Sequence, residues 1–272
     1  MKTFKSYFSS ILKWFYIGII IFLLYLPIII IFVLSIDSSR TGNTFTGFTF
    51  DWYKEIFTNQ SLYMSIITSF AVALSATCIS AFCGTFAAIG IHSLNRNIKE
   101  KVLLLNNVPV LNADIVTGIS IMIICSFLLP LFPDIFGYWT MLIAHVFFTM
   151  PYVILSVLPK LNELDPNLYD AATDLGLPPF KALWKVIIPA IETGIISGAL
   201  LAFTLSIDDF VISYFTSGNG VTNFSNWIYV RLGRKNFTPA AYAYNSLLTF
   251  IILIAVLVPQ FKKDKKKKVT RK

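Results

Sequence analysis

The chain of 272 residues is 56% hydrophobic and only 13% charged, with a mean hydropathy of +0.72. Average soluble proteins have about 25% charged residues, and one soluble core of this size does not need so much apolar surface. The composition excludes a single soluble domain, a disordered chain and a disulfide scaffold, and it indicates a membrane protein. Eight of the 22 basic residues lie in the last eleven positions, which favours contact with anionic membrane lipid over nucleic acid.

Six uncharged, apolar runs predict six transmembrane helices. The first run covers residues 14–34, and at 1.5 Å per residue it spans about 31 Å, enough to cross a hydrocarbon core. No signal-peptide cleavage site follows it, so we expect it to remain attached as the first span. The other runs are residues 64–91, 115–129 with the apolar sequence before it, 138–158, 193–207 and 239–260.

The basic residues predict that both termini are cytoplasmic, because short loops rich in Lys and Arg stay on that side of the membrane. Seventeen of the 22 basic residues lie on the side of the termini and five on the opposite side. Arg40 and Lys54 belong to the first outer loop. Arg231, Arg234 and Lys235 belong to the fifth loop. The positive charge of this loop by itself predicts a cytoplasmic position, but the larger positive charge of the tail outweighs it.

No pattern for nucleotide binding or covalent catalysis is present. The phosphate-binding loop, the HExxH pattern and the nucleophile elbow are all absent from the sequence. The three cysteines lie in apolar runs without a CxxC spacing, which predicts neither a disulfide nor a zinc site. We therefore predict a subunit that is not an enzyme and holds no cofactor or metal, so that any ATP is used by a partner subunit.

The segment between the fourth and fifth predicted spans, residues 165–189, predicts two short helices joined by a sharp turn, an arrangement named here the elbow. Asp165 followed by proline is typical of a helix start. Gly176 can adopt the left-handed conformation that often ends a helix, and the two prolines that follow open the next one. Two adjacent alanines in the first helix leave little side chain on one surface, which suits docking.

The elbow resembles the EAA loop of ABC-importer permeases. The shared pattern is Asp170-Ala171-Ala172, three residues, Gly176, nine residues, and a Val-Ile-Ile-Pro sequence that ends at Pro189. The usual pattern has Glu in place of Asp170. In that family the loop forms a coupling helix that fits a groove on the ATP-hydrolysing subunit, so the resemblance implies that these five residues contact that subunit. The alternative is an amphipathic elbow that only covers the membrane surface.

Three further stretches, residues 112–120, 145–152 and 203–210, look like parts of the C-type permease subunit of spermidine/putrescine importers. The resemblance extends over about residues 60–260. It implies an all-α polytopic protein with six transmembrane helices and the type I ABC importer permease (MetI-like) fold, in a bacterial inner membrane. It also implies three partners: an ATP-binding subunit in two copies, a second permease subunit and an external polyamine-binding protein.

Three regions are expected along the chain. Residues 1–60 should form the first transmembrane helix and the first external loop, residues 61–261 the permease core with its coupling loop at 161–189, and residues 262–272 a basic cytoplasmic tail.

Acidic residues at predicted membrane depth are candidates for the substrate path, because ionisable groups are costly there. Asp208 and Asp209 follow the fifth span near its outer end. With Tyr214 and Trp139 as cation–π partners, they would suit an amine that carries several charges. The alternative is an outer helix end whose acids simply reach water.

Asp114 is a third candidate, near the middle of the membrane if its helix is continuous. Asn107 and Thr117 then lie on the same polar stripe, which could line a wet passage. A buried aspartate bonded to Asn106 or Asn112 is the alternative. Where the relatives commonly have a proline before the acid, this chain has Ala113. The sequence therefore does not decide whether the helix breaks there.

Two further features concern packing in the predicted bundle. The fifth span carries Gly194, Gly198, Ala202 and Ser206 at four-residue intervals, and this small-residue stripe predicts close contact with another helix. His145 is a lone histidine in the fourth span, and a core residue bonded to backbone or serine is favoured over a proton relay.

Together these features predict a permease subunit of an ATP-driven polyamine importer that works by alternating access. A permease for thiamine, iron or phosphate is the nearest alternative. An ion-coupled secondary carrier that uses Asp114 or His145, and a passive membrane scaffold, are alternatives from other classes. The EAA-like elbow argues against both, because neither has a partner to receive it.

Overall fold

The computed structural model describes residues 2–39, 45–218, 220–233 and 238–269, and the regular structure within them is helical apart from two isolated β-bridges. Arg40, Arg234, Lys235 and the last three residues of the basic tail lie outside the described residues. The orientation derived from the basic residues therefore stays a prediction.

Thirteen α-helices and one π-helical turn follow one another along the described ranges. They are α1 (Lys2–Ser35), α2 (Asp51–Thr58), α3 (Gln60–His92), α4 (Arg96–Leu111), α5 (Asp114–Leu128), α6 (Tyr138–Asn162), α7 (Leu168–Asp174), α8 (Pro179–Ala182), the π-turn (Leu183–Ile187), α9 (Ile188–Ala190), α10 (Glu192–Ile207), α11 (Val211–Thr216), α12 (Phe224–Gly233) and α13 (Ala240–Val269).

All six predicted apolar runs form helices, but the chain bends within the third run and directly before the fifth. Within the described ranges, three helices are long and apolar enough to cross a membrane unbroken: Lys13–Ser35 of α1, and the whole of α3 and of α6. The segment of α4 and α5 bends by 97°, and the segment from α8 to α10 bends by 70°. The sixth run begins α13 as the apolar stretch Ala240–Ile254. Each of these two segments is therefore a pair of helices joined at a sharp bend rather than one straight rod.

One compact unit comprises Met1–Tyr63 and Arg231–Lys272, and in it α13 packs against α1 and α2. Asp37 organises the loop between α1 and α2. Its carboxylate accepts the backbone N–H of Thr46 at 3.0 Å, and its carbonyl oxygen accepts the indole N–H of Trp52 at 2.6 Å. The bond from the Thr46 backbone is the main reason that the pKa of Asp37 lies below its ordinary value.

The second compact unit, Met64–Val230, contains the elbow and the candidate path residues, and its core lies along α6. Side chains from α3, the elbow and α10 pack against the C-terminal half of α6, which is the half predicted to lie near the cytoplasm. A smaller cluster joins α6 to α11 through Ala144, Phe148 and Ile212. The larger cluster consists of Ala88, Ile91, Val153, Ile154, Val157, Leu158, Leu161, Ile187, Ile191 and Ala202.

The small-residue stripe of α10 faces α6, which confirms the predicted close contact. Gly194, Gly198, Ala202 and Ser206 are all buried. A Cβ atom built on Gly198 would lie 3.1 Å from the Cα atom of Val153 in α6. Because that neighbour is backbone rather than a flexible side chain, the two helices leave no room for a larger residue at this position.

Replacing Gly198 with leucine should destabilise the protein by about 1–3 kcal/mol, the usual cost of forcing extra atoms into a packed contact. Ser197→Leu is the matched control, because Ser197 is the neighbouring, exposed residue of the same helix. The measurement is the thermal unfolding midpoint of the purified protein in detergent. Equal losses in the two variants would contradict the close packing of α10 on α6.

Candidate functional site

The first half of the elbow begins with a turn and continues as α7. The Asp165 carboxylate accepts the backbone N–H of Asn167 at 2.9 Å, and its carbonyl oxygen accepts the N–H of Leu168 at 3.0 Å. The α-helix itself starts at Leu168 rather than at the predicted position, Pro166. The reason is local. The hydrogen bond from the Leu168 N–H to the Asp165 carbonyl closes a turn that is tighter than an α-helical turn, and the regular helix begins only after it.

Gly176 ends α7 in the left-handed conformation, as the sequence predicts, with φ at +87°. Its N–H donates to the carbonyl oxygen of Thr173 at 2.9 Å, and the N–H of Leu177 donates to that of Ala172 at 3.3 Å. These two bonds define the Schellman motif, which satisfies the last free carbonyl groups of the helix. The turn of the elbow thus depends on one residue without a side chain.

The second half of the elbow starts at Pro179, the first residue of α8, also as predicted. The π-turn follows because Pro189 has no N–H to donate to the carbonyl group four residues earlier. The N–H of Ile188 instead reaches the carbonyl oxygen of Leu183, five residues back. After this wide turn the chain bends by 70° into α10.

The predicted coupling residues do not all lie on one surface. Asp170, Ala171, Gly176 and Pro189 are exposed, whereas Ala172 is only 6% exposed and forms part of the inside of the elbow. Adjacent helical residues point about 100° apart, so the two alanines cannot share one surface. Ala172 therefore lies on the inner side of the elbow in this chain, and the contact of these residues with the ATP-binding subunit stays a prediction.

Two apolar side chains that the sequence reasoning missed stand out on the same elbow. Leu175 is 87% exposed and Phe180 is 70% exposed, one on each side of the Gly-Leu-Pro-Pro turn. Exposed apolar side chains of this size favour burial against a partner. Their position on either side of a turn that the sequence predicts was the signal that could have identified them as exposed contact residues.

At the other end of α10 the chain breaks between Ile207 and Val211, and both candidate acids lie in this break. The carboxylate of Asp209 accepts the N–H groups of Ile212 at 3.3 Å and of Ser213 at 2.7 Å, which are among the free donors at the start of α11. Its side chain is only 7% exposed. Asp208, by contrast, is exposed. The two neighbouring acids therefore have different environments.

His145 of α6 lies beside this break and is 1% exposed. Its Nδ1 atom is 2.6 Å from the hydroxyl oxygen of Ser206, and its Nε2 atom is 2.9 Å from that of Ser213. The expectation of a core histidine bonded to serine is confirmed. The Nε2 atom is also 3.6 Å from an oxygen of Asp209, beyond hydrogen-bond distance.

An aromatic cluster follows the acids along the chain. Tyr214 is 48% exposed, and its ring centroid lies 5.7 Å from that of Phe210 and 5.9 Å from that of Tyr229. Trp139 lies in a pocket lined by residues 131–135, and its ring packs against that of Tyr138. Of the two predicted cation–π partners, Tyr214 belongs to α11, which starts directly after the break, and Trp139 belongs to α6.

Asp114 opens α5 after a sharp break, because Asn112 and Ala113 both have extended backbone with ψ of 144° and 135°. The 97° bend contradicts the continuous polar stripe expected from Asn107 to Asp114. Asp114 is exposed rather than buried, and the amide of Asn112 donates to Thr117 at 3.4 Å. The break follows Pro109 in the last turn of α4 and has Ala113 directly before the acid. The carboxylate lies at a helix start, where negative charge is stabilised.

This geometry defines a class of protein. It is an all-α membrane subunit that has an exposed elbow at one end of α10 and an acidic break at the other end. The sequence matches the family described as binding-protein-dependent transport system inner membrane component over residues 80–261. The chain belongs to this family and has its all-α permease fold.

Relatives of known assignment cover most of the chain. It is 32% identical over 240 residues to the spermidine/putrescine transport system permease protein PotC of Haemophilus influenzae, covering 87% of this chain and 90% of the relative. It is 33% identical over 215 residues to the putrescine transport system permease protein PotI of Escherichia coli, covering 77% and 76%. A PotC homolog of Mycoplasma genitalium is 25% identical and covers 98% of this chain and 97% of its own length.

Solved structures share the fold at low sequence identity. A bacterial ABC transporter that imports the acidic polysaccharide alginate matches with a TM-score of 0.70 at 14% identity, covering 99% of this chain and 100% of that one. An amino acid ABC transporter crystallised with histidines matches with a TM-score of 0.53 at 18% identity, covering 78% and 99%. These similarities support the fold of an ABC importer permease.

Replacing Asp209 with alanine should destabilise the protein by about 1 kcal/mol, because the first N–H groups of α11 lose their acceptor. Asp209→Ser is the matched variant, since a serine hydroxyl is also a good acceptor at a helix start and should retain part of the stability. The measurement is again the thermal unfolding midpoint in detergent. An unchanged midpoint for Asp209→Ala would show that the carboxylate does not hold the start of α11.

Proposed function

We propose that this permease subunit imports spermidine or putrescine. Its proposed assembly contains a second permease subunit, two copies of an ATP-binding subunit and an external polyamine-binding protein. The observation that carries the proposal is the exposed Asp208 in the break after α10, two residues before Phe210 of the aromatic cluster. The names and high coverage of the PotC and PotI relatives support the same solute class.

The break offers chemistry that suits an organic cation. A carboxylate attracts an ammonium group, and the exposed faces of Tyr214 and Tyr229 provide cation–π contacts for the same group. An exposed, weak site of this kind lets a solute enter and leave, as a translocation path requires. A negatively charged break would repel phosphate, so the alternative of a phosphate permease is disfavoured.

The polar side chains of α4 support a path through the same unit. The Nδ2 atom of Asn106 and the Oδ1 atom of Asn107 are buried, and neither has a hydrogen-bond partner within the described ranges. Unpaired polar atoms are costly in apolar surroundings. We infer that water in the path, or a helix of the second permease, completes them.

The elbow is proposed to contact the ATP-binding subunit on the cytoplasmic side, with both chain termini on that side as well. Leu175 and Phe180 are the apolar contacts that a groove on that subunit would cover, and the exposed Asp170 offers a charge at its edge. This chain is proposed to bind no ATP or other cofactor and to catalyse no reaction. The energy for transport enters through the elbow.

Helix α10 provides the proposed mechanical connection. Its 16 residues begin two positions after the end of α9 and end directly before Asp208, so one rigid segment of about 24 Å joins the elbow to the acidic break. Closure of the ATP-binding subunits would move the elbow, and α10 would carry that displacement to the break. The path then opens alternately to the two sides of the membrane.

Uptake by the complete complex in liposomes tests this function. Radiolabelled spermidine and putrescine should enter only when ATP and the binding protein are present. Transport by this chain alone, without the ATP-binding subunit, would indicate a secondary carrier. Uptake of thiamine or iron with no uptake of polyamine would assign the complex to another solute.

Asp208→Asn should raise the KM for polyamine about tenfold, because a charge-assisted contact is replaced by a neutral one. The complex should still assemble, since Asp208 is exposed. Asp51→Asn is the control, because Asp51 is an exposed acid that already pairs with Lys54 at 3.4 Å. If Asp208→Asn transports with the KM of the unmodified complex, Asp208 has no role in the path.

Gly176→Val should weaken the coupling of ATP hydrolysis to uptake. A Cβ atom at this position would meet no other atom within 4 Å, so the only penalty is the left-handed backbone, about 1–2 kcal/mol for such a residue. Gly176→Asn is the control, because asparagine tolerates this conformation better. The measurement is the ratio of solute imported to ATP hydrolysed. Equal ratios in the two variants would argue against the turn as part of the coupling contact.

A further inference from the structure

One imidazole ring bridges the two sides of the break that carries Asp208. Ser206 is the second-to-last residue of α10, and Ser213 lies in the first turn of α11. The ring nitrogens of His145 lie 2.6 Å from the hydroxyl oxygen of Ser206 and 2.9 Å from that of Ser213. The serines are 2% and 0% exposed. Because His145 belongs to α6, its ring attaches both broken helices to a third one.

The hydrogen bonds across the break are complete without any charge. A neutral imidazole has one donor and one acceptor nitrogen, and a serine hydroxyl can serve as either. Ser206, His145 and Ser213 therefore form a satisfied chain in both tautomers of the ring. Phe148, one turn further along α6, packs against the ring with centroids 5.3 Å apart. The ring cannot rotate without losing a bond to one of the two helices.

A solute-binding role for the ring itself does not fit these contacts. Both ring nitrogens are engaged, and the side chain has almost no exposed surface. The nearest acid, Asp209, uses its carboxylate oxygens for the N–H groups of Ile212 and Ser213. What remains exposed between the two serines is Asp208.

We propose that His145 is a positioning residue for transport: by holding Ser206 and Ser213, it fixes the backbone of the break and so directs the carboxylate of Asp208 into the polyamine path. This inference rests on the proposed function. It predicts that loss of the bridge affects solute affinity through Asp208, and not only the stability of the bundle.

The test measures KM and kcat for spermidine in the reconstituted complex with His145→Gln, Ser213→Ala and the control Thr149→Ala. Thr149 is equally buried in α6 and bonds the carbonyl group of His145 and the hydroxyl of Ser80, but it does not contact the break. His145→Gln and Ser213→Ala should each raise KM roughly threefold to tenfold, the effect of losing one hydrogen bond, with a smaller change in kcat. Thr149→Ala should leave KM nearly unchanged.

A double-mutant cycle separates positioning from general packing. When Asp208→Asn is already present, adding Ser213→Ala should raise KM no further, because the side chain that the bridge positions has lost its charge. Additive effects would overturn the proposal, and so would an equal KM increase in Thr149→Ala. If His145→Gln does not assemble, the Ser213→Ala cycle gives the same decision with the ring in place.

Failure of the proposed function gives a different result. In that case the unmodified complex imports another solute and no polyamine. The same cycle, measured with the solute that is imported, then still decides whether His145 positions Asp208.

Discussion

Backbone polar groups in apolar surroundings need a partner inside the protein, and this requirement determines where the helices of this chain can break. A spanning helix can be interrupted only where side chains, wide turns or water replace the lost intrahelical bonds. At the break after α10 the replacement is the carboxylate of Asp209, which accepts two N–H groups of α11. The elbow, at an exposed position, replaces its lost bonds with the Schellman motif at Gly176 and the π-turn before Pro189. Both interruptions next to α10 thus have their own substitute for the lost helical bonds.

The two irregular points of the fifth span are joined by one regular helix. The glycines of α10 bring it close to the backbone of α6, and its larger side chains remain at the flanks. Such contact favours sliding or pivoting of α10 as a unit over bending in its middle, because a packed helix pair shifts between discrete arrangements. The bridge from His145 then adds a polar connection at the end of α10 that is distant from the elbow.

Features that depend on a short stretch of sequence were predictable. Uncharged runs located all six apolar helices, the glycine before two prolines located the left-handed turn, and four-residue spacing located the face of α10 that meets α6. Each follows from the conformational preference or volume of the residues themselves. His145 was predictable for the same reason, since a lone histidine in an apolar run needs hydrogen-bond partners.

Features that depend on residues distant in sequence were not predictable. The sequence placed Asp208 and Asp209 together after the fifth span, but it could not show that the side chain of Asp209 is only 7% exposed, because the residues of α11 and α6 beside it are distant in sequence or in another element. The break before Asp114 forms with Ala113 at the position directly before the acid. Ala172 turned inward because the second half of the elbow folds back on the first. The periodicity of apolar residues in a sequence indicates which face of a helix is buried. It does not indicate which other helix covers that face.

The π-turn in the elbow has a consequence for how this chain can tolerate insertions and deletions. Its five-residue bond accommodates one residue more than an α-helical turn would. The side chains from the turn to the 70° bend at Ile191 are thereby rotated by about 100° relative to an uninterrupted helix. Among them, Ile187 and Ile191 pack in the buried cluster along α6. Removing a single residue between Leu183 and Ile187 would restore regular winding locally, yet it would turn these side chains away from that cluster.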